Sequence, residues 1–430
     1  MRIVFKNWVL PCAVWGILVV ATAPAGAQIS SDVPPRTRTV PVREQVESEE
    51  ENAPYRLGPV RLTPVLSVRD FGWNNNVYGT VDNKVADFQA TVAGGARLLL
   101  PMGGKAFLRS DAVPEYSWYA KTADRRYFGG AYGGSLLGLF NRVSLEAGGK
   151  WSSSLSVLNS ESEVVAVQTL SGGRVRLEID VLERLGLFGG LEQVKSRFSG
   201  ASGLGAPGVT DLDRTETAAR AGLRYRFSDQ VSLGVQVEDV KTAFVTQPAD
   251  RDNSSTGYLV VAHYDREKFY VELTAGYRKS RSSETPSFYP AYSTGTYSYF
   301  ASWFAGRTVE VQAFGARRPV ASLFLDNPYY FENRNGAAVN VGLGERVTLR
   351  VLGEVGTNSY PVAVLVAGGA PVTRKDPYWS AGGGFAFVVW RKVQLSVLAS
   401  QSEYTSNVPG AGRSVFRITT GLSVEGDFSR

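Results

Sequence analysis

Residue types that commonly do catalysis are scarce in this chain of 430 residues. His263 is the only histidine, so a metal site built from several histidines is excluded, and a Ser-His-Asp triad would have to use this residue. No Gly-x-Ser-x-Gly segment precedes it, and apolar residues at every second position around it turn it to the polar face of a predicted strand. We interpret His263 as structural, and we expect no catalytic residue, no metal site and no cofactor.

Two other groups of residues are of types that could bind a ligand or take part in catalysis. Gly103-Gly104-Lys105 is similar to the end of a phosphate-binding loop, but it lies in a predicted tight turn with no helix after it. Asp111 and Glu115 could in principle do acid–base work, although nothing in the sequence separates them from other charges on the same face. A hydrolase that uses this pair of carboxylates is therefore the least favoured alternative.

Arginine side chains form a pattern that suits anion binding. Arg220, Arg224 and Arg226 project from one face of a predicted strand, on which Glu216 at the end offers the only carboxylate. Arginine stays charged at any accessible pH, and walls of arginine favour anions in pores. The residues that we predict on this polar face, as the lining of a pore, are Arg174, Arg176, Arg220, Arg224, Arg226, Arg278, Arg350, Glu192 and Glu238.

Strands rather than helices must position these side chains. From residue 60 onward apolar and polar residues alternate, as in residues 174–181, where every second residue is aliphatic and the others are charged. About 18 such runs occur, each near the length of about 9–11 residues that a tilted strand needs to cross a bilayer. After the first 27 residues no apolar stretch is long enough to form a transmembrane helix.

The connections between the predicted strands alternate between short and long. Short periplasmic turns that alternate with long external loops are typical of an outer-membrane barrel. The sequence therefore predicts an all-β fold, a single antiparallel transmembrane β-barrel of about 18 strands. The short turns include residues 102–104, 140–142, 228–230, 265–268, 305–307 and 390–392, and the long loops centre on 73–86, 155–168, 197–216, 246–254, 281–296, 320–330, 358–375 and 403–415.

The N-terminal segments differ in composition from the rest. Residues 1–27 have a basic start, an apolar run and a small-residue cleavage site, so they are predicted to be a signal peptide; they contain the only cysteine, Cys12. Residues 28–57 are rich in proline and acidic residues and are predicted to be a disordered periplasmic tail. Residues 58–430 form the predicted barrel. The formal net charge of +6 is too mild to indicate nucleic-acid binding.

The start of the barrel carries a family resemblance. Residues 62–66 (Leu-Thr-Pro-Val-Leu), 71–78 (Phe-Gly-Trp-Asn-Asn-Asn-Val-Tyr) and 86–88 (Ala-Asp-Phe) follow one another there. This order resembles the opening of the outer-membrane proteins described as β-barrel porin 2. The resemblance implies a porin-like barrel, and some members of that group resemble barrels of exopolysaccharide export systems. It implies no catalytic residues.

These patterns together favour a channel in the outer membrane of a Gram-negative-type bacterium. The expected function is passage of small, weakly anionic solutes through a polar, arginine-rich lumen, or export of a polysaccharide. The alternative is a non-conducting structural or adhesive barrel that acts through its external loops. Expected partners are outer-membrane lipid, the barrel assembly machinery and, for an export role, a periplasmic polysaccharide-export protein.

Overall fold

The chain folds into one closed β-barrel. The computed structural model describes residues 41–78, 84–199, 208–246, 248–282, 289–365, 370–390, 393–409 and 411–425. Its eighteen long strands, β2 to β19, pair antiparallel with their neighbours along the chain, and β19 pairs with β2 to close the sheet. The predicted fold class and strand number are therefore confirmed. The predicted signal peptide, residues 1–27, lies outside the described residues.

The strands have the following bounds: β1 Tyr55–Leu57, β2 Val60–Asn74, β3 Asp87–Met102, β4 Ala106–Tyr119, β5 Tyr127–Leu139, β6 Val143–Asn159, β7 Ser162–Asp180, β8 Leu185–Ser199, β9 Arg214–Arg226, β10 Val231–Phe244, β11 Asn253–Arg266, β12 Phe269–Ser282, β13 Ser293–Ala305, β14 Val309–Ala321, β15 Tyr329–Leu343, β16 Val347–Leu365, β17 Pro371–Trp390, β18 Val393–Tyr404 and β19 Arg413–Glu425. Two α-helices are present in the described chain, α1 Val42–Asn52 and α2 Pro248–Arg251. Neither of them is long and apolar enough to cross a membrane.

The two faces of the wall differ in polarity as the sequence predicts. On β9, Leu223 and Tyr225 point outward and are 45% and 43% exposed, whereas the intervening Arg224 points inward. A charged side chain on the lipid face near mid-membrane costs roughly 2–4 kcal/mol, so this apolar exterior is the surface that contacts lipid. The protein is an outer-membrane barrel. The end with the short turns faces the periplasm in such barrels, and we call the other end the external end.

Short and long connections alternate, but two of the predicted long loops are wrong. The segment 155–168 is strand almost throughout, because β6 and β7 stay paired as far as Asn159 and Ser162. Their outer neighbours stop earlier, since β5 pairs with β6 only up to Ser153 and β8 pairs with β7 only from Val167. The β6–β7 hairpin therefore extends beyond the wall at the external end. Likewise, most of 358–375 belongs to β16 and β17.

The prediction of a disordered tail over residues 28–57 is wrong for its second half. Residues 42–52 form helix α1, and residues 55–57 form β1, which pairs with β2. The physical reason is that Val46 is fully buried against apolar side chains of β3 to β5, which stabilises the helix. Residues 28–40 lie outside the described residues.

Candidate pore lining and the two ends of the lumen

Ion pairs join the predicted lining residues of β8 to β12. The Arg220 guanidinium lies 2.9 Å from Glu238 through Nε and 3.5 Å from Glu192 through Nη2. Arg278 on β12 donates to the second carboxylate oxygen of Glu238. Glu238 and Arg278 are 0% and 1% exposed, so they brace the wall and are not exposed to the lumen, contrary to the prediction that they line a pore.

A second set of ion pairs crosses an intervening strand. Arg224 and Arg226 of β9 bind Glu178 and Asp180 of β7, at 2.9 Å and 2.6 Å. They reach past β8 because Gly186 stands between these strands, in register with both Asp180 and Arg224. A Cβ atom there would lie 3.3 Å from the Asp180 carboxylate, so glycine keeps the path across β8 open.

These pairs correct the predicted surplus of arginine. Arg174 lies 2.5 Å from Glu146, and Arg176 lies 4.0 Å from the same carboxylate. Six arginines therefore face five carboxylates, which leaves a local excess of one positive charge rather than an unpaired arginine wall. We call this set the lumen ion-pair network: Arg174, Arg176, Arg220, Arg224, Arg226 and Arg278 with Glu146, Glu178, Asp180, Glu192 and Glu238.

The remaining residues singled out in the sequence lie apart from this network. Arg350 is on the inner face of β16, half-buried and opposite Asn340, and its Nε lacks a hydrogen-bond partner among the described residues. Glu115 is bound to Arg69 at 2.5 Å. His263 packs edge-on against the Tyr270 ring, with the ring centroids 5.2 Å apart. Over the described ranges, no group of three or more metal-binding side chains is arranged to hold an ion.

The tip of the β6–β7 hairpin crosses the external end of the barrel. Glu161 at the tip accepts hydrogen bonds from the Ser322 hydroxyl and the Leu323 amide, both at 2.6 Å. The Asn159 side chain donates to the Ala321 carbonyl at 3.3 Å. Strand β14 lies eight strands from β6 in one direction around the sheet and ten strands in the other, so it is on the opposite wall. The hairpin tip therefore spans the barrel. We call this set of bonds between residues 159–161 and 321–323 the cross-barrel contact.

Two further strands and one further loop hold the hairpin in place. Arg413 at the start of β19 donates to the Ser160 carbonyl at 2.8 Å, and Arg125 in the β4–β5 loop donates to the Val165 carbonyl. The Ser160 hydroxyl lies 3.1 Å from the Tyr330 hydroxyl. The hairpin is thus bonded to several points around the external rim, which fixes its position across the lumen.

Three external loops converge on the same place. Arg251, which is fully buried, donates to the Asp211 carbonyl of the β8–β9 loop and, at 2.6 Å, to the Ser322 carbonyl. Burial lowers the pKa of Arg251 to about 10. Burial also raises the pKa of Glu161, while its hydrogen bonds from Ser322 and Leu323 oppose the shift. An apolar cluster supports these groups: Ala166, Phe198, Val209, Leu212 and Leu323.

Helix α1 occupies the inner wall at the periplasmic end. Its Val46 packs on a patch formed by Leu99, Phe107, Leu137 and Leu139, which are lumen-facing residues of β3 to β5. The acidic residues that suggested disorder bind arginines of the wall instead. Glu49 makes a bidentate pair with Arg109, at 3.0 and 2.7 Å, and Glu50 lies 3.5 Å from Arg61.

Sequence reasoning missed both of these elements. A usable signal for α1 was present, because Val42 and Val46 are four residues apart and so share one face of a helix. For the cross-barrel contact no local signal exists, since Glu161 and Ser322 are 161 residues apart and their meeting depends on barrel closure.

Comparison with known proteins supports the fold. No protein-family model and no curated protein matches the chain. A BenF-like porin from Pseudomonas fluorescens Pf-5 has a TM-score of 0.52 at 13% identity, covering 86% of this chain and 99% of the porin. OccK2 (OpdF) from Pseudomonas aeruginosa has a TM-score of 0.51 at 16% identity, covering 85% and 98%. The same protein in complex with glucuronate gives 0.50 at 16% identity, covering 85% and 96%.

These identities establish a common fold and nothing finer. The chain has the closed 18-stranded barrel of outer-membrane porins. The resemblance seen at the start of the barrel is confirmed at that level, as a porin-type outer-membrane β-barrel.

Proposed function

We propose that this protein is an outer-membrane channel for small solutes, narrowed at the external end by the β6–β7 hairpin and at the periplasmic end by α1. A barrel of this strand number encloses an aqueous lumen unless other elements fill it. The observation that carries the proposal is the cross-barrel contact, in which Glu161 meets Ser322 and Leu323 on the opposite wall. An element held across a lumen by a few polar bonds restricts the size of what passes.

The lumen ion-pair network supports a preference for small solutes that carry a carboxylate. The side chains of Arg176, Arg224 and Arg226 are 46%, 35% and 34% exposed, so they retain N–H groups for a passing solute. A guanidinium group binds a carboxylate through two parallel hydrogen bonds, which gives it selectivity over a neutral group. The bound glucuronate of the structural neighbour OccK2 is a carboxylate of this kind. The local excess of one positive charge makes the expected anion preference weak.

A polysaccharide export duct fits these observations less well. An extended polymer needs an uninterrupted path, and the β6–β7 hairpin lies across that path with bonds to β14, β15 and β19. A non-conducting barrel is the second candidate, favoured by the occupation of both ends. Conductance separates the two candidates directly.

Shortening the hairpin tests the proposal. Residues 156–166 are replaced by Asn-Gly, a turn that suits a two-residue connection between Leu155 and Val167, which are paired in the sheet. Removing the crossing element widens the path, so single-channel conductance in planar bilayers should rise about twofold or more. The matched control replaces residues 365–371 of the β16–β17 hairpin by Asn-Gly, and its conductance should equal that of the wild type. Absence of conductance in both the wild type and the shortened variant would favour the non-conducting barrel.

A further inference from the structure

The outer face of the barrel carries a cluster of basic side chains at its external end. Lys195 and Arg197 of β8, Lys241 of β10, and Lys279 and Arg281 of β12 are all exposed and point away from the lumen. We call these five residues the outer basic patch. The strands between them contribute hydroxyl groups, since Lys241 is in register with Thr217 on β9 and Ser254 on β11.

Carboxylates neutralise little of this charge. Asp213 lies 3.7 Å from Arg197, and Asp239, one outward position below Lys241, accepts a hydrogen bond from Thr256. No carboxylate of the described chain forms an ion pair with Lys195, Lys241 or Lys279. Each of these three lysines therefore presents its ammonium group to the medium around the barrel without an ion-pair partner among the described residues.

Neighbouring tyrosines place the patch at the depth of lipid head groups. Tyr258 and Tyr277 are directly paired on the outer face and are 61% and 49% exposed. Exposed tyrosines at such positions form the aromatic belt at the boundary between hydrocarbon and head groups. Lys279 is two residues beyond Tyr277, which is about 6–7 Å further along the strand. Its ammonium group therefore reaches the level of the lipid phosphates.

An apolar groove lies directly below the patch on the same strands. It has a volume of about 480 Å³, a floor of small residues that includes Gly189, Ala219 and Ala221, and walls that include Leu177 and Leu191. Ala219 is in register with Leu191, and Thr217, two residues further along β9, is in register with Lys241. The groove thus ends one outward position below Lys241 and two below Lys195, with the Asp239 carboxylate at that end. The rest of its lining is apolar and suits an acyl chain.

We propose that the outer basic patch and this groove bind one phosphorylated lipid of the outer leaflet. One phosphate lies between Lys195 and Lys241, a second phosphate lies between Lys241 and Lys279, and one acyl chain lies in the groove over Gly189 and Ala219. The patch and the groove together select a phosphorylated lipid. A free phosphate would leave the groove empty, and an uncharged lipid would leave the basic side chains without an anionic partner. This site is on the outside of the wall and is independent of any solute path.

The test uses the purified full barrel in a neutral detergent with diphosphoryl lipid A as the probe. Binding is measured by thermal shift and by native mass spectrometry. The variant Lys195→Gln/Arg197→Gln/Lys241→Gln/Lys279→Gln/Arg281→Gln should bind about tenfold more weakly or worse, and wild-type affinity should fall as salt is added. A control replaces five exposed basic residues of the periplasmic turns by Gln and should bind like the wild type: Arg142, Arg184, Arg266, Lys268 and Arg307.

Two further variants separate charge, groove and folding. Lys195→Arg/Lys241→Arg/Lys279→Arg keeps the charge and should keep wild-type affinity. Gly189→Leu/Ala219→Leu fills the groove, where a Cβ atom at Gly189 meets only the Arg220 carbonyl at 3.4 Å, and should weaken binding while leaving its salt dependence. Unchanged affinity in the folded five-residue Gln variant would overturn the proposal. Complete competition by inorganic phosphate at an equal phosphate concentration would overturn the lipid assignment.

Discussion

At the residue scale, the alternation of apolar and charged side chains fixes which face a residue occupies but not its partner. It predicts that Arg224 and Arg226 point inward, as they do. It does not predict that both bind carboxylates two strands away, because that pairing depends on strand register and on the missing side chain of Gly186. The prediction that carboxylates are too few to pair with these arginines was wrong for this reason. Pairing rules applied to adjacent strands alone overlook contacts across a glycine.

The lumen ion-pair network gives a prediction about ion selectivity. The variant Arg220→Gln/Arg224→Gln/Arg226→Gln leaves three arginines facing five carboxylates, so the pore should change from a weak anion preference to a cation preference. Reversal potentials across planar bilayers at low salt measure this change, which added salt should reduce.

The matched control removes acids from the same network. Glu178→Gln/Asp180→Asn/Glu192→Gln leaves six arginines facing two carboxylates and should strengthen the anion preference. If the two triple variants shift the reversal potential in the same direction, these side chains do not set the selectivity.

At the element scale, the two segments that narrow the lumen in our proposal are helix α1 and the tip of the β6–β7 hairpin. The sequence pattern predicts a tail and a loop at these places. The acidic run Glu47–Glu51 hid the helical spacing of Val42 and Val46, because high charge is typical of disorder. The helix forms since the wall offers an apolar patch for Val46 and arginines for Glu49. This surface is formed by the consecutive strands β3 to β5, so the spacing of Val42 and Val46 could predict a helix but not the place where it packs.

The docking of α1 can be tested with one substitution. Val46→Asp places a carboxylate among four apolar side chains, where burying it without a partner is strongly unfavourable. The helix should leave the wall, hydrogen exchange of residues 42–52 should lose its protection, and single-channel conductance should rise. Glu47→Gln, on the exposed face of the same helix, should change neither quantity. Retained protection in Val46→Asp would contradict the proposed anchor.

The hairpin tip should respond to pH through Glu161. Burial raises the pKa of this carboxyl in the docked hairpin, so the docked state binds a proton more tightly than the free state. Docking therefore strengthens as the pH falls through the raised pKa towards the ordinary value of about 4.3, and weakens as the pH rises through it. Single-channel conductance should accordingly fall on acidification over that interval.

A neutral analogue isolates this effect. Glu161→Gln resembles the protonated side chain in shape and charge, and it should stay docked with a conductance that no longer depends on pH in that interval. Asp229→Asn, in the exposed β9–β10 turn at the periplasmic end, serves as the control and should keep the wild-type pH dependence. A conductance that rises on acidification in the wild type would reverse the assigned role of Glu161.

At the scale of the whole molecule, periodicity and the alternation of connections were enough to predict the closed barrel. Both follow from backbone geometry in lipid, where every strand must pair and one face of each must be apolar. The cross-barrel contact could not be predicted from the sequence because it joins residues on opposite walls. The separation of these residues in the sequence does not indicate that they are in contact. The barrel sets the width of the lumen, and we propose that the hairpin and α1 set the cross-section that is open to solutes.

Small solutes should pass through this lumen, and their entry into proteoliposomes provides a direct measurement. Liposomes that contain the purified wild-type barrel are placed in isotonic solutions of solutes of increasing size, and swelling is recorded by light scattering. We expect swelling with a small sugar acid, slower swelling with its uncharged amide, and none with a long oligosaccharide. No swelling with any solute, while the variant with the shortened β6–β7 hairpin is equally inactive, would contradict the claim.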